Sequence, residues 1–409
     1  MTTSQKLSDV LQFIRGVTFS PEELVTGDES GAIACLRTKN IKKVLDDSDL
    51  IYVPSSVVKR DEQALQEGDL LISSANSWEL VGKTVRVGKL SYPATAGGFI
   101  SILRPDRERI DPDYLFRFIS WARTQHEIRH LGRQTTNISN LDRERFLELP
   151  IPLPPLPTQR HIAKVLEQAD CLRRQAQHME AELDRLVQAL FVDMFGDPVI
   201  NPKAWSKVSV SHFVDEFEGG KSLVGAGEDQ EVAGYRVLKI SAVTWGEFNP
   251  AESKPLPNDY QPEKSHFVRK CDLLFSRANT TELVGATSYV FDEHKNLLLP
   301  DKLWRFVWRE EISVSPIFIW FLFMNRDVRV ELGKLSSGSG GSMKNISKAK
   351  LMPFKVIFPP IALQRDFERK YLKVREALAA CRSEAAEHER MYDALMQRAF
   401  KGELVPKLA

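Results

Sequence analysis

The chain has 409 residues, 43% hydrophobic and 27% charged, which excludes a fibrous or wholly disordered protein and is too long for one ordinary core, so roughly two to three domains are expected. Its 56 Lys and Arg against 55 Asp and Glu leave it nearly neutral. That excludes a uniformly basic surface, so any contact with nucleic acid needs clustered cations or a partner that supplies them. Four widely spaced cysteines with no CxxC pair exclude a zinc ribbon or a disulfide framework and point to a reducing, cytoplasmic setting.

The N-terminal MTTSQKLSDVLQF lacks the basic segment and apolar core of a secretory signal. CLRTKNI at 35–41 carries Arg37 and Lys39, and DLLISSANSWELVG follows at 69–82. VRVGKL and FISILR read as short strands from their β-branched and aromatic content. DPDYLFRFISWARTQHEIRHL, 111–131, reads as a helix opened by a Pro-containing cap. LGRQTTN leads into a first NIS triplet at 137–139, and a Pro-Pro pair stands at 154–155. Beyond it apolar residues at Ile162, Val165, Ala169, Leu172, Ala176, Met179, Leu183, Leu186 and Leu190 step alternately by three and four. That is a coiled-coil seam, and it predicts a long helix over 156–196.

The second half repeats the plan. YRVLKISAV, which carries Lys239, and KLWRFVW read as strands, and SPIFIWFLFMNRDVRVELG, 315–333, reads as a helix. DLLFSRANTTELVG at 272–285 matches 69–82 at ten of fourteen positions. Apart from Ile72 against Phe275, the differences are polar: Ser74 against Arg277, and Ser77 and Trp78 against Thr280 and Thr281. Asp69 and Asp272 are 203 residues apart, the two NIS triplets 208, and Gln159-Arg160 and Gln364-Arg365 are 205 apart. The chain therefore reads as a tandem duplication with small insertions, one being GSGGSM at 338–343. After the second Pro-Pro pair, Phe367, Tyr371, Val374, Leu378, Cys381, Ala385, His388, Tyr392 and Leu395 repeat the seam, predicting a helix within 361–409.

A lone heptad helix cannot bury its seam, and the simplest partner is the other copy. The order globule, helix, globule, helix then forces the two helices antiparallel about a pseudo-two-fold axis. The expected fold is α+β: two mixed α/β globules separated by two long antiparallel coiled-coil helices. The other arrangement, each seam packing on its own globule, suits seams of this length less well. The longest apolar run, Ile317 to Met324, falls far short of the roughly 20 residues of a membrane helix, so a soluble protein is expected.

The doubled DLL.S.AN..ELVG block, the doubled NIS segment and the PLP.LP.QR and IFPP.ALQR openings of two long helices resemble the specificity (S) subunit of type I restriction-modification systems. The likeness covers the whole chain. It implies target-recognition domains at 1–155 and 197–360 and spacer helices at 156–196 and 361–409. It further implies that each globule reads one half of a split double-stranded DNA target. The helices would set the gap and dock two adenine methyltransferase (M) subunits, and motor-nuclease (R) subunits would complete the restriction enzyme. Such a subunit is not catalytic, and S-adenosylmethionine would sit on the methyltransferase partner. The glycine-rich LSSGSGGSMKN has no match in the first copy's LGRQTTN, so the resemblance does not itself assign base-reading roles to that loop.

The residue types agree with this. Major-groove readout uses Arg on guanine, Asn or Gln on adenine, and Ser or Thr on either. In the first copy these types gather at Ser73, Ser74, Asn76, Ser77 and Lys83, then at Arg133, Gln134, Thr135, Thr136 and Asn137. In the second they gather at Ser276, Arg277, Asn279, Thr280 and Thr281, then at Ser342, Lys344 and Asn345. SSAN and SRAN equally suit plain turns. Arg37, Lys39 and Lys239 fit phosphate better than bases, and also fit solvated strand positions.

Sharper motifs fail on context. His126-Glu127-Ile128-Arg129-His130 spells HExxH, but no third zinc ligand is placed downstream and the second copy has neither histidine. Gly219-Gly220-Lys221-Ser222 would need a glycine where Asp215 stands to be a phosphate loop. No adenine-methyltransferase Pro-Pro-aromatic signature is present. A coiled-coil scaffold that joins partner proteins without reading DNA is the alternative of a different class.

Overall fold

The computed structural model describes residues 4–134, 138–223, 225, 232–337 and 343–404, with only the backbone of Arg133, Gln134, Val232 and Ala233. Two compact units divide the chain: Met1–His178 with Arg382–Ala409, and Met179–Cys381. The first begins with β1 (Ser4–Lys6), β2 (Leu11–Arg15), β3 (Ala32–Leu36), β4 (Ile51–Pro54) and β5 (Leu70–Ser73). β6 (Ala75–Asn76), β7 (Thr84–Arg86), β8 (Ala94–Ala96) and β9 (Ile100–Pro105) follow. Then come α1 (Pro112–Ser120), α2 (Ala122–Leu131), β10 (Arg133–Gln134), β11 (Ser139–Asn140), α3 (Arg143–Leu147) and β12 (Pro150–Pro152), and α4 (Leu156–Phe195) leads on into the second unit. That unit carries β13 (Lys207–Ser209), β14 (Val214–Gly219), β15 (Val232–Leu238), α5 (Ser241–Thr244), β16 (Ser253–Pro257) and β17 (Leu273–Ser276). It continues with β18 (Ala278–Asn279), β19 (Thr287–Tyr289), β20 (Leu297–Leu298), β21 (Leu303–Trp308), α6 (Pro316–Met324) and α7 (Arg326–Lys334). β22 (Lys344–Asn345), α8 (Lys348–Leu351), β23 (Lys355–Ile357) and α9 (Ile361–Phe400) close the chain.

The units share one topology. An antiparallel four-stranded sheet runs β2-β9-β5-β7 in the first and β14-β21-β17-β19 in the second. A three-stranded sheet runs β4-β3-β8 or β16-β15-β20, and its last pair is parallel in both. β1 pairs β12 as β13 pairs β23. Strand alternation splits the core: Leu70 and Ile72 face the cluster built with α1, α2 and α3, while Leu71 faces a second cluster with Ile14, Leu36 and Ile102. Leu273 and Phe275, against Leu274, divide the second unit the same way.

The segment 111–131 is two helices, not one. Trp121 takes ψ 134 between α1 and α2, as Asn325 takes ψ 132 between α6 and α7. Extended backbone at one residue breaks the ladder without breaking the apolar pattern, so composition does not reveal it. Asn325 also caps the new helix, its Oδ1 accepting from the Asp327 and Val328 amides at 3.0 and 3.1 Å. The strand expected through Ser241–Val243 is the short helix α5 instead.

The long helices α4 and α9 have 40 residues each, or about 60 Å at 1.5 Å per residue. Each begins at a glutamine latch. Gln159 Oε1 accepts from the Asp111 amide at 2.8 Å, and its Nε2 donates to the Pro154 and Arg109 carbonyls. Gln364 accepts from the Ser315 amide at 3.1 Å and donates to the Pro359 carbonyl at 2.8 Å. Within the first unit Ile162 and Leu166 share a cluster with Met396, Ala399 and Phe400, and Arg173 donates to Glu389 at 3.2 Å. Within the second, Phe191 and Phe195 lie 5.4 and 5.6 Å from Phe367. Among the described residues no helix is long and apolar enough to cross a membrane.

Candidate nucleic-acid interface

The duplicated block is a hairpin with a helical turn at its tip. Leu80 and Val81 amides donate to the Ser77 carbonyl, as Leu283 and Val284 amides donate to Thr280. Gly82 and Gly285 then take φ +83 and +85, and their amides donate back to Ser73 and Ser276 at 2.8 and 2.9 Å. Only glycine holds that left-handed conformation cheaply. A Cβ on Gly82 would also lie 2.6 Å from the Ile128 Cγ2. The leading aspartate is structural as well. Asp69 accepts from the Gln66 amide at 2.8 Å and pairs with Arg104 at 2.8 Å. Asp272 accepts from the Arg269 amide at 2.7 Å and pairs with Arg305 at 2.8 Å. Most of the identical residues therefore build the hairpin, which leaves the differing ones to be explained by what the tip meets.

Beyond the hairpin, the chain brings each unit's two polar segments together. Ser139 pairs with Asn76 and Asn140 with Ala75; Ala278 pairs with Asn345 and Asn279 with Lys344. Arg133 and Gln134 extend the first ladder by their backbone, opposite Asn140 and Ser139. Thr135, Thr136, Asn137 and Ser342 lie outside the described residues.

These hydrogen bonds correct the alignment of the copies. Leu141 donates its amide to the Ser74 carbonyl at 2.8 Å, and Ile346 does the same to Arg277 at 2.9 Å. Asp142 and Ser347 are the N-caps of α3 and α8. Asn345-Ile346-Ser347 is thus the counterpart of Asn140-Leu141-Asp142, not of the first NIS triplet, and Ile138 is 48% exposed where Ile346 is fully buried. From α2 to β11 and from α7 to β22 the chain lengths differ by only a few residues, so GSGGSM is not wholly an insertion.

The candidate side chains fall into two groups. Ser73 and Ser276 are buried; Ser73 Oγ accepts from Asn76 Nδ2 at 3.1 Å, and Ser276 Oγ donates to the Ala278 carbonyl at 3.3 Å. Asn76 and Asn279 each turn their Oδ1 to the next amide, Ser77 and Thr280, at 2.9 Å. These four shape the tip. Ser74, Ser77 and Lys83 are half-buried, and Thr280 is exposed. Lys83 closes the hairpin by its carbonyl, which accepts from the Ser73 amide at 2.9 Å. The Arg277 guanidinium donates to the Asp301 carbonyl at 2.8 Å and to Asn345 Oδ1 at 3.5 Å, and stands 5.6 Å from the Trp304 ring centre. Lys348 approaches the same ring at 5.8 Å. The result is an aromatic-cation cluster beside Lys344 and Asn345 with no counterpart at Ser101, the first unit's described equivalent of Trp304.

The cations expected at phosphates already have carboxylate partners. Arg37 pairs with Asp49 at 3.0 Å, and Lys39 bonds the same group, which holds the Asp49 carboxyl below its usual range. Lys239 lies 3.5 Å from Glu252. His126 and His130 lie on α2 with ring centres 4.2 Å apart and planes tilted by 51°, and Trp78 meets His130 edge-on at 5.1 Å. Among the described residues no group of three or more His, Cys, Asp or Glu could hold a metal. In the GGKS segment, a Cβ on Gly220 would sit 1.7 Å from the Leu299 carbonyl oxygen, so close backbone approach explains that glycine.

Sequence reasoning missed Arg104 and Arg305. They sit on equivalent strands, but the registers Ile72 with Ser101 and Phe275 with Trp304 place them two positions apart, so aligning the copies does not reveal them. It also missed Phe99 and Lys302, whose carbonyls accept from the Ser74 and Arg277 amides.

A family model for the type I restriction modification DNA specificity domain matches residues 2–182. The chain is 26% identical, over 97% of its length and 88% of the relative's, to the EcoKI specificity subunit of Escherichia coli strain K12. It is 23% identical to the putative MjaX specificity subunit of Methanocaldococcus jannaschii, over 98% of this chain and 93% of that one. Among solved structures, the S subunit of a type I system from M. genitalium matches all of this chain and 97% of its own, with TM-score 0.59 and 13% identity. A chain from a study of complex assembly and conformational transition of the type I R-M system matches 98% of both chains, with TM-score 0.55 and 17% identity. The fold they share with this chain is that of type I S subunits. Residues 2–182 thus match the type I DNA specificity domain, and over nearly its full length the chain is similar to proteins named as specificity subunits of type I restriction enzymes.

Proposed function

We propose that each unit reads one half of a bipartite double-stranded DNA target through the tip of its hairpin and the short ladder beside it. The single observation that supports this most is that two units of identical strand order differ at the polar tip positions, Ser74, Ser77 and Trp78 against Arg277, Thr280 and Thr281. On this reading, residues 1–155 and 197–360 are target-recognition domains. The helices over 156–196 and 361–409 form an antiparallel coiled-coil spacer about a pseudo-two-fold axis. The spacer sets the unread gap and docks two methyltransferase subunits, which carry S-adenosylmethionine, and motor-nuclease subunits join that core in the cytoplasm.

The proposed DNA contacts are Ser74, Ser77, Lys83, Arg133, Gln134, Thr135 and Asn137 in one half. In the other they are Arg277, Thr280, Lys344 and Asn345. Ser73, Asn76, Ser276 and Asn279 hold the tips, and Arg37, Lys39 and Lys239 meet phosphate by exchanging their carboxylate partners. Co-expression with the cognate methyltransferase in a methylation-free host, followed by genome-wide mapping of adenine methylation, tests this. Two short fixed blocks separated by a constant gap are expected. Absent or scattered methylation from an assembled complex contradicts it.

A further inference from the structure

Phe99 is 67% exposed, yet its carbonyl is held by two amides, those of Ser74 at 2.9 Å and Ala75 at 3.3 Å. The ladder ends where Ser73 pairs with Ile100; one step further the same register sets Ser74 opposite Phe99, and the Ser74 hydroxyl lies 3.2 Å from that of Ser101, two residues after Phe99. Directly opposed residues of an antiparallel pair project from the same face. Phe99 therefore stands beside the first polar position at which the two hairpins differ. The turn before it is locked. The Gly97 amide donates to the Leu36 carbonyl at 2.9 Å, and a Cβ on Gly16 would lie 2.3 Å from the Gly97 carbonyl oxygen. In the second unit the same device, Gly220 against Leu299, precedes Lys302, whose carbonyl accepts from the Arg277 amide at 3.1 Å. The cross-strand pair thus changes as a pair, Ser74 with Phe99 against Arg277 with Lys302.

A single exposed phenyl ring is ordinary on a protein surface. One fixed on a rigid turn, on the same face as a differing polar residue, and replaced by a cation at the equivalent place, is suited to recognition. We propose that Phe99 is a specificity residue of the first unit that makes an apolar contact with the 5-methyl group of a thymine in the major groove. Thymine is the base that presents a methyl there, and phenylalanine is among the side chains that read it. This rests on the half-site reading above, and it adds a base and an atom to it.

The test uses the assembled complex with its methyltransferase subunits and the target found by methylation mapping. Each thymine of the two half-sites is replaced in turn by deoxyuridine, which lacks only the methyl group, and Kd is measured. For the native chain, one substitution, in one half-site only, is expected to weaken binding about fourfold, the factor that burying one methyl group supplies. Phe99→Ala should bind the unmodified target about fourfold more weakly and be indifferent to that substitution, while Phe99→Leu should keep part of the discrimination. A native complex indifferent to every deoxyuridine, a Phe99→Ala complex as sensitive as the native one, or two half-sites without thymine would overturn the assignment while leaving the bipartite reading intact. A native complex with no bipartite preference would overturn both.

Discussion

The two places where the equivalent helices α1 and α6 meet the long helices use one backbone plan and opposite chemistry. In the first unit Arg117 on α1 is buried and donates to Asp170 on α4 at 2.9 Å, while also pairing with Glu167. Arg173 joins Asp170 at 2.7 Å and reaches Glu389 on α9, and its guanidinium lies 4.9 Å from the Tyr392 ring centre. Burial disfavours the Asp170 charge, but hydrogen bonds from Arg173 and Arg117 outweigh it and hold the carboxyl below its usual range. At the matching place in the second unit, Phe321 stands 5.0 Å from Phe367 and 4.9 Å from Tyr371, among Phe191, Phe195 and Phe318. What the copies share is the hairpin, its glycine and the glutamine latch. What they do not share is the filling of the junction, and a filling can change completely while the latch keeps the helix start in place.

That difference can be broken at either end. Phe367→Ala removes the centre of the aromatic cluster, and a loss of about 4 kcal/mol is expected; urea denaturation followed by tryptophan fluorescence measures it, and a loss under about 1 kcal/mol would mean the cluster is not what holds that junction. Arg117→Met should cost about 3 kcal/mol, because it leaves a buried carboxylate with only part of its compensation. The same denaturation reads it, and full restoration by adding Asp170→Asn would identify the stranded charge as the cause. An unchanged midpoint for Arg117→Met would reduce the network to surface decoration.

Much of this fold is legible in the sequence because it rests on local rules. The period of three and four marks α4 and α9, and the doubled ELVG marks a turn that needs glycine at φ near +85. The rest depends on partners far along the chain. Asp69 gives no hint that Arg104 is its counter-ion, and the break at Trp121 is one residue's backbone choice inside an unbroken apolar pattern. The identical NIS triplets mislead because short polar text recurs by chance, whereas the amide of Ile346 on the Arg277 carbonyl fixes the true register. Of the candidate site, the divergent tips are readable from the two copies alone. Phe99 and Lys302 are not, since they lie in an unremarkable stretch and reach the tip only through the cross-strand pairing.

On the proposed reading, each unit reads its own half of the target with its own tip. The most direct test replaces SANSW at 74–78 and Phe99 by their second-unit counterparts, RANTT and Lys, and repeats the methylation map with the same methyltransferase. One block of the bipartite target is expected to change or be lost, while the other block and the gap stay as they were. Both blocks changing together, or neither changing in an active complex, would contradict it.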